Sequence, residues 1–131
     1  MEKKILLAED DEFLKQLYTD VLSAEGYTVE TAIDGEEALA KVSAGGWDLI
    51  LLDIIMPKLN GLDVVKKTKE LPIPAVPNKC IIFLTNLDKG EEIKEALLLG
   101  NGYLIKSQIT PGDLVKEVKL YLTQPPTPAS N

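Results

Sequence analysis

Short apolar runs alternate with amphipathic stretches along this 131-residue chain. Residues 49–52 are continuously apolar, as is typical of a strand buried on both faces of a sheet. After the first apolar run, apolar residues recur at helical spacing, which predicts an amphipathic helix. We expect one buried stripe on that helix, formed by Phe13, Leu14, Leu17, Tyr18, Val21 and Leu22.

The whole pattern predicts five strands, each followed by a helix. The predicted strands cover residues 4–9, 28–32, 48–53, 80–84 and 103–105. The predicted helices cover residues 13–22, 36–42, 62–71, 91–99 and 111–122. Repeated strand–helix units predict an α/β fold with a parallel sheet covered on both faces. In such sheets the ligand site lies outside the carboxyl ends of the strands, where the strand order reverses.

Turn and cap residues delimit these elements. Gly26 suits a left-handed position at the end of the first helix, and Thr110 with Asp113 forms a capping box for the last helix. Residues 71–78 contain three prolines and predict a loop at the opposite end of the sheet from the ligand site. Residues 124–131 predict a disordered end or a cut linker, which leaves residues 1–123 as a single domain.

Composition excludes several classes of function. The net charge is −7 and the sequence contains no arginine, which argues against nucleic-acid binding by this chain. The absence of histidine excludes His-ligated metals and Ser-His-Asp triads, and the single Cys80 excludes an internal disulfide and a Cys-rich zinc site. Apolar runs are far shorter than the ~20 residues of a membrane span. With no signal-peptide pattern at the start, we expect a cytoplasmic protein.

The carboxyl ends of the predicted strands carry polar residues of complementary kinds. They are Glu9 and Asp10, then Asp53, Thr85 and Lys106. Two carboxylates ~5 Å apart repel by about 3 kcal/mol at an effective dielectric constant near 20. We therefore expect either a protonated carboxyl group or a hard divalent cation, with Mg²⁺ (or Mn²⁺) suited to oxygen ligands.

A hydroxyl group and an ammonium group beside a divalent cation suit phosphoryl transfer, which depends on positioning and charge neutralisation. An Asp carboxylate can itself accept the phosphoryl group as an acyl phosphate. Asp53 is the candidate acceptor because it ends the strand that we expect to be the most buried, central to this edge of the sheet.

Taken together and in order, these residues resemble the receiver domains of bacterial two-component response regulators. The resemblance extends over residues 3–122. It rests on Glu9-Asp10, on Asp53 followed by Met56-Pro57 and Gly61, on Thr85, and on Tyr103 three residues before Lys106. It implies a flavodoxin-like (βα)5 fold with strand order 2-1-3-4-5.

The resemblance also implies residue roles. Asp53 would accept a phosphoryl group from a phosphohistidine of a sensor histidine kinase or a phosphotransfer protein. Asp10, Asp53 and the backbone carbonyl of Ile55 would bind Mg²⁺ directly, and Glu9 would bind through a metal-bound water. Lys106 would pair with Asp53 and then with a phosphoryl oxygen.

Thr85 and Tyr103 would transmit the signal. The resemblance implies that Thr85 donates to the phosphoryl group and that Tyr103 then rotates from an exposed to a buried position. The protein would be a switch that acts on no separate metabolite, with an unknown effector. Many DNA-binding members form phosphorylation-dependent homodimers through helix four, strand five and helix five with Arg–acid pairs. This chain has no arginine for such pairs.

Four residues near the predicted site distinguish this chain among proteins with the same pattern. Ser107 follows Lys106 where the family usually has a proline in a cis peptide, and the sequence leaves the isomer here open. Asn86 follows Thr85 where a small residue is usual, and we expect it to crowd or hydrogen-bond near the phosphoryl group. Ile55 and Leu87 lie two residues after Asp53 and Thr85, and their apolar side chains predict slow attack by water.

Other functions fit the sequence less well. A flavin binder on this fold would need a Ser/Thr/Gly-rich phosphate loop where residues 9–12 are all acidic. A haloacid-dehalogenase-type phosphatase would need an Asp-x-Asp pair, but Glu9 and Asp10 are adjacent. The remaining alternative is a degenerate receiver that acts only as a protein-binding module.

Overall fold

The computed structural model describes residues 2–86 and 90–123, and in these ranges five strands and five α-helices alternate. The strands are β1 (Lys4–Ala8), β2 (Thr28–Ala32), β3 (Leu49–Asp53), β4 (Ile81–Thr85) and β5 (Gly102–Ile105). The helices are α1 (Glu12–Ala24), α2 (Gly35–Ala44), α3 (Gly61–Lys69), α4 (Glu91–Leu99) and α5 (Pro111–Thr123). A short 3₁₀ turn (Lys106–Gln108) joins β5 to α5. The predicted tail, residues 124–131, lies outside the described residues.

All strand pairs in the sheet are parallel, and the order is β2-β1-β3-β4-β5. The predicted fold class and strand order are confirmed. The chain moves outward from β1 to β2 and then returns to place β3 on the other side of β1. The strand order therefore reverses between β1 and β3, where Ala8 pairs with Leu52. Any ligand site of this fold is expected at the carboxyl ends of these two strands.

Two apolar cores cover the two faces of the sheet because successive side chains of a strand point to opposite faces. One core contains Leu6, Ile50, Leu52 and Phe83 with residues of α2, α3 and α4. The other contains Ile5, Leu7, Leu49 and Leu51 with residues of α1 and α5. Residues 49–52 are fully buried, as their continuous apolar run predicts.

The amino-terminal edge of the sheet is closed by hydrogen bonds between neutral groups. Trp47 is almost fully buried, and its indole Nε1–H donates to the carbonyl of Lys41 at 2.8 Å. The backbone N–H of Trp47 donates to Asn78 Oδ1 at 3.2 Å, and Asn78 Nδ2 donates to the carbonyl of Val42 at 2.9 Å. The Gly46 N–H donates to the carbonyl of Val76 at 2.7 Å. These bonds fix the proline-rich loop predicted at this end.

The structure corrects the prediction for Phe13, whose side chain is 73% exposed and lies outside the buried stripe. Helical side chains tilt toward the helix N-terminus. Phe13 is the second residue of α1, so that direction leads past the end of the sheet into solvent. At the carboxyl ends of the strands two boundaries also differ, because β1 ends at Ala8 rather than at Glu9, and β4 ends at Thr85 rather than at Leu84.

Three further expectations concern helix ends and length. The Thr110 and Asp113 side chains each accept the other residue's backbone N–H at 3.0 Å, which confirms the predicted capping box. Gly26 has a φ of 92°, as predicted for the end of α1. In residues 2–86 and 90–123, no helix has the length and apolar character needed to cross a bilayer.

Candidate functional site

Three acidic side chains meet at the carboxyl ends of β1 and β3. Glu9 follows β1 and is fully buried, Asp53 ends β3 and is 2% exposed, and Asp10 is exposed to solvent. One carboxylate oxygen from each of the three lies within 4.8 Å of the others. The strand pairing places Glu9 and Asp53 side by side because Ala8 and Leu52, the residues just before them, are partners.

The ammonium group of Lys106 bridges the two buried acids. Its Nζ donates to Asp53 Oδ2 at 2.9 Å and to Glu9 Oε2 at 3.2 Å. Backbone N–H groups hold the other carboxylate oxygens, with Asp11 donating to Glu9 Oε1 at 3.1 Å and Ile55 donating to Asp53 Oδ1 at 3.2 Å. Because the Lys106 side chain is 12% exposed, solvent screens these ion pairs only weakly.

The pKa values show that one ammonium group does not balance the acids. Burial, followed by the negative charge of Asp53, raises the pKa of Glu9 to about 7. Burial also raises the pKa of Asp53, although Lys106 opposes the shift. Burial would lower the pKa of Lys106, but its bonds to Asp53 and Glu9 outweigh that effect and raise it. The site therefore favours binding of a proton or a cation near neutral pH.

The donor set fits a small divalent cation. Glu9, Asp10 and Asp53 offer carboxylate oxygens, which Mg²⁺ prefers, and the described part of the site offers no nitrogen or sulfur ligand. A cation of two positive charges would also offset the repulsion that raises the pKa of Glu9. Asp10 reaches solvent, which suits an ion that keeps several of its waters.

Two glycines hold the segment that follows Asp53. A Cβ atom on Gly61 would overlap the backbone carbonyl of Asp53, so the first turn of α3 can pack there only with glycine. The Gly61 N–H donates to the carbonyl of Ile54 at 2.8 Å. A Cβ atom on Gly35 would overlap the Leu59 carbonyl in the same way. Residues 54–60, which include Ile55, are thus packed between the starts of α2 and α3.

An ion pair that the sequence does not reveal also fixes this segment. Lys58 has a φ of 72°, and the Leu59 N–H donates to the carbonyl of Pro57 at 2.9 Å, as in a γ-turn. Lys58 Nζ lies 3.3 Å from Asp34 Oδ2, and the other Asp34 oxygen caps α2 at Glu37 N–H. An acid at a helix start is a recognisable sequence signal, but its distant lysine is not.

The two predicted switch residues lie on β4 and β5. Thr85 is fully buried at the end of β4, beside Ile105 on β5. Tyr103 is half-buried next to Phe83 and packs against the core on the face of α2, α3 and α4. The side chain of Ile55 is 65% exposed at the edge of the site. Leu87, predicted to hinder water, lies outside the described residues.

Asn86 and Ser107 are linked by a hydrogen bond that the sequence does not reveal. The Ser107 backbone N–H donates to Asn86 Oδ1 at 3.0 Å. Among the described residues no peptide bond is cis, so Lys106 and Ser107 are joined by a trans bond.

The chain is similar to known receiver domains along most of its length. The sequence profile of the response regulator receiver domain matches residues 5–119. The Transcriptional regulatory protein CpxR homolog of Haemophilus influenzae is 35% identical over 130 residues, covering 98% of this chain and 54% of that protein. The Chemotaxis protein CheY of Treponema pallidum is 35% identical over 107 residues, covering 79% of this chain and 72% of that protein.

A solved structure shows the same architecture. The CheY-like response regulator receiver domain protein from Methanospirillum hungatei superposes with a TM-score of 0.81 at 30% identity, covering 94% of this chain and 95% of that one. The chain spans about half the length of several transcriptional regulators that it matches, including the PhoP protein of Bacillus subtilis, of which it covers 49%.

Proposed function

The chain belongs to the response regulator receiver domain family of two-component systems, and from that premise we propose that it is a phosphorylation-activated switch with Asp53 as its acceptor. One observation carries the choice of acceptor. Asp53 is a buried carboxylate that lies at the reversal of strand order, bonded to Lys106 at 2.9 Å and clustered with Glu9 and Asp10.

In the proposed reaction, an Asp53 carboxylate oxygen attacks the phosphorus of a phosphohistidine on a sensor histidine kinase or a phosphotransfer protein. The P–O bond forms as the P–N bond breaks, and the electron pair leaves with the imidazole, which takes up a proton. The product is an acyl phosphate on Asp53. Lys106 then releases the Asp53 oxygen that it holds and binds a phosphoryl oxygen instead.

Bound Mg²⁺ (or Mn²⁺) would neutralise charge on the phosphoryl group during transfer. We propose that Asp10, Asp53 and the backbone carbonyl of Ile55 hold this cation directly and that Glu9 acts through a metal-bound water. The packing of residues 54–60 against Gly35 and Gly61 supports this assignment because it fixes the Ile55 backbone relative to Asp53.

The proposed conformational change runs through Thr85 and Tyr103. The phosphoryl group adds roughly −2 charges, and the Thr85 hydroxyl donates to one of its oxygens, drawing the segment after β4 toward the site. Tyr103 then turns further into the core against which it already packs. The charge added at Asp53 thus shifts the chain from one conformation to another.

Exposed apolar side chains support two proposed interaction surfaces. Phe13, Ile33 and Ile55 are 73%, 47% and 65% exposed, and each follows a strand end, so we place the phosphodonor protein at this edge. Leu97 of α4 and Leu120 of α5 are 51% and 52% exposed. Apolar contacts there would support a phosphorylation-dependent homodimer through α4, β5 and α5 without Arg–acid pairs.

The acceptor is tested by incubating the protein with acetyl phosphate and Mg²⁺ and measuring its intact mass. We expect one phosphoryl group on the wild type and none on Asp53→Ala. Asp48→Ala is the matched control, since Asp48 precedes the opposite end of β3, and it should be phosphorylated as the wild type is. An unmodified wild type would instead favour a degenerate receiver that only binds proteins.

The same preparation tests the phosphate lifetime once the acetyl phosphate is removed. Because Ile55 is apolar and exposed at the edge of the site, we expect faster loss of the phosphoryl group from Ile55→Asn and from Leu87→Glu. Equal decay in all three proteins would show that neither side chain hinders the attacking water.

A further inference from the structure

A side chain continues the contact between β4 and β5 beyond the end of the sheet. The last paired residues of the two strands are Thr85 and Ile105. One step further on, the backbone N–H of Ser107 donates to Asn86 Oδ1 at 3.0 Å, where a backbone carbonyl would serve if the strands continued. The bond links the residue after Thr85 to the residue after Lys106.

This bond restrains the backbone at the base of the Lys106 side chain. In the described sheet, β5 pairs with β4 alone, and the chain leaves β5 in a 3₁₀ turn that begins at Lys106 itself. A lysine has four rotatable bonds between its backbone and its ammonium group, so a loosely held backbone would spread the Nζ atom over many positions. Tethering the Lys106–Ser107 peptide group to Asn86, the residue that follows β4, limits that spread.

We propose that Asn86 is a positioning residue that acts through Lys106, keeping its ammonium group on Asp53 where an incoming phosphoryl group needs it. The inference rests on the proposed function of Asp53. It deepens that function because it adds to the site a residue whose side chain bonds to the backbone of Ser107 rather than to Asp53 or Glu9. Correct placement of a charged group before reaction is a large part of catalysis by electrostatic stabilisation.

The residue types at positions 86 and 107 suit this hydrogen bond. Most receiver domains have a proline after the lysine, and proline has no N–H to donate. A small residue such as alanine, usual after the threonine, has no side-chain acceptor. Asn86 and Ser107 depart from that pattern together, and each supplies the group that the other needs.

A set of variants separates this hydrogen bond from other effects of Asn86. The readout is the maximum rate of Asp53 phosphorylation by acetyl phosphate at saturating Mg²⁺. We expect Asn86→Ala to slow it about fivefold, the factor that corresponds to a hydrogen bond worth about 1 kcal/mol. Ser107→Ala keeps the backbone N–H, so Asn86→Ala should slow phosphorylation by the same factor in that background. Ser107→Pro lacks the donor, so Asn86→Ala should have no further effect there.

Two more measurements keep the test decisive if Ser107→Pro folds poorly. In a Lys106→Ala background, Asn86→Ala should slow the reaction no further, which a purely structural role would not produce. Hydrogen exchange of the Ser107 amide should become faster in Asn86→Ala. The inference would be overturned if Asn86→Ala left the phosphorylation rate unchanged or made it faster. It would also be overturned if Asn86→Ala slowed the reaction equally in the Ser107→Ala and Lys106→Ala backgrounds. Either outcome would leave Asp53 as the acceptor. Failure of the wild type to become phosphorylated would overturn both.

Discussion

The two ends of the central sheet bury polar groups in opposite ways. At the amino-terminal edge, the indole of Trp47 and the amide of Asn78 find neutral backbone partners at 2.8–3.2 Å. At the carboxyl edge, Glu9 and Asp53 are buried with like charges and share Lys106. Buried polar groups stabilise a fold when each finds a partner, and buried like charges destabilise it. The amino-terminal edge therefore stabilises the fold, whereas the carboxyl edge carries a cost in stability that the proposed phosphoryl transfer would explain.

The pKa shifts of one carboxyl group at each end run in opposite directions. Burial would raise the pKa of Asp48, but the backbone N–H of Lys4 at 2.8 Å and the ammonium group of Lys79 at 3.0 Å outweigh burial and lower it. Burial and the charge of Asp53 raise the pKa of Glu9 to about 7. The ionised form of Asp48 therefore stabilises the fold, whereas the ionised form of Glu9 destabilises it.

The largest effect on stability is expected at the amino-terminal edge. Trp47→Ala removes a side chain that is 4% exposed and its hydrogen bond to Lys41, so we expect the free energy of unfolding in urea to fall by about 4 kcal/mol. Phosphorylation by acetyl phosphate, measured at a temperature where the variant is folded, should stay within about twofold of the wild type.

Trp47→Phe is the control for that variant, since it keeps a buried ring and loses the N–H donor, and it should cost about half as much. A phosphorylation rate that falls in parallel with stability in both variants would show that the two ends of the sheet are not separable.

Local patterns predicted the fold well because its three inner strands, β1, β3 and β4, are buried along nearly their whole length. The continuous apolar run 49–52 and the alternation of strands and helices predict the parallel sheet. The topology of that sheet then places the acids at the ends of β1 and β3 close together. Phe13 was wrongly predicted as buried because periodicity does not tell where a helix passes the end of the sheet.

The amide partners could not be predicted from sequence. Asn78 bonds to Trp47, Asn86 to Ser107 and Asn101 to Ile81, over separations of 31, 21 and 20 residues. In each case the partner is a backbone N–H, which nearly every residue carries. Such pairs leave no mark on the sequence of the partner, and only the fold brings them together.

An intermediate effect on stability is expected when a carboxyl group is replaced by an amide at each end of the sheet, at Glu9 and at Asp48. The folded-state pKa of Glu9, about 7, lies above the ordinary value of 4.5, so between these pH values the folded state keeps a proton that the unfolded state loses. Stability contributed by Glu9 therefore falls as the pH rises from 4.5 to 7. We expect Glu9→Gln to raise the free energy of unfolding by about 3 kcal/mol at pH 8 and by almost nothing at pH 4.

Asp48→Asn, the matched variant at the other end, should lower stability by about 1 kcal/mol at pH 8, because the lowered pKa of Asp48 marks a stabilising charge that is lost only in acid. Urea unfolding of both variants across this pH range gives the comparison. Shifts of the same sign in both variants at pH 8 would show that the two carboxyl groups do not differ as described.

The smallest effect on the free energy of unfolding is expected from Mg²⁺, and it should depend only on residues at the carboxyl edge of the sheet. A concentration about five times the dissociation constant raises the free energy of unfolding by about 1 kcal/mol if the ion binds the folded chain alone. The gain should be smaller at pH 5 than at pH 8, since protons on Glu9 compete with the cation. Asp10→Asn should abolish the gain with little other change, because Asp10 is exposed, and Asp48→Asn should keep it. If Mg²⁺ stabilised Asp10→Asn as much as the wild type, the three clustered acids would not be its site, and the raised pKa of Glu9 would need another role.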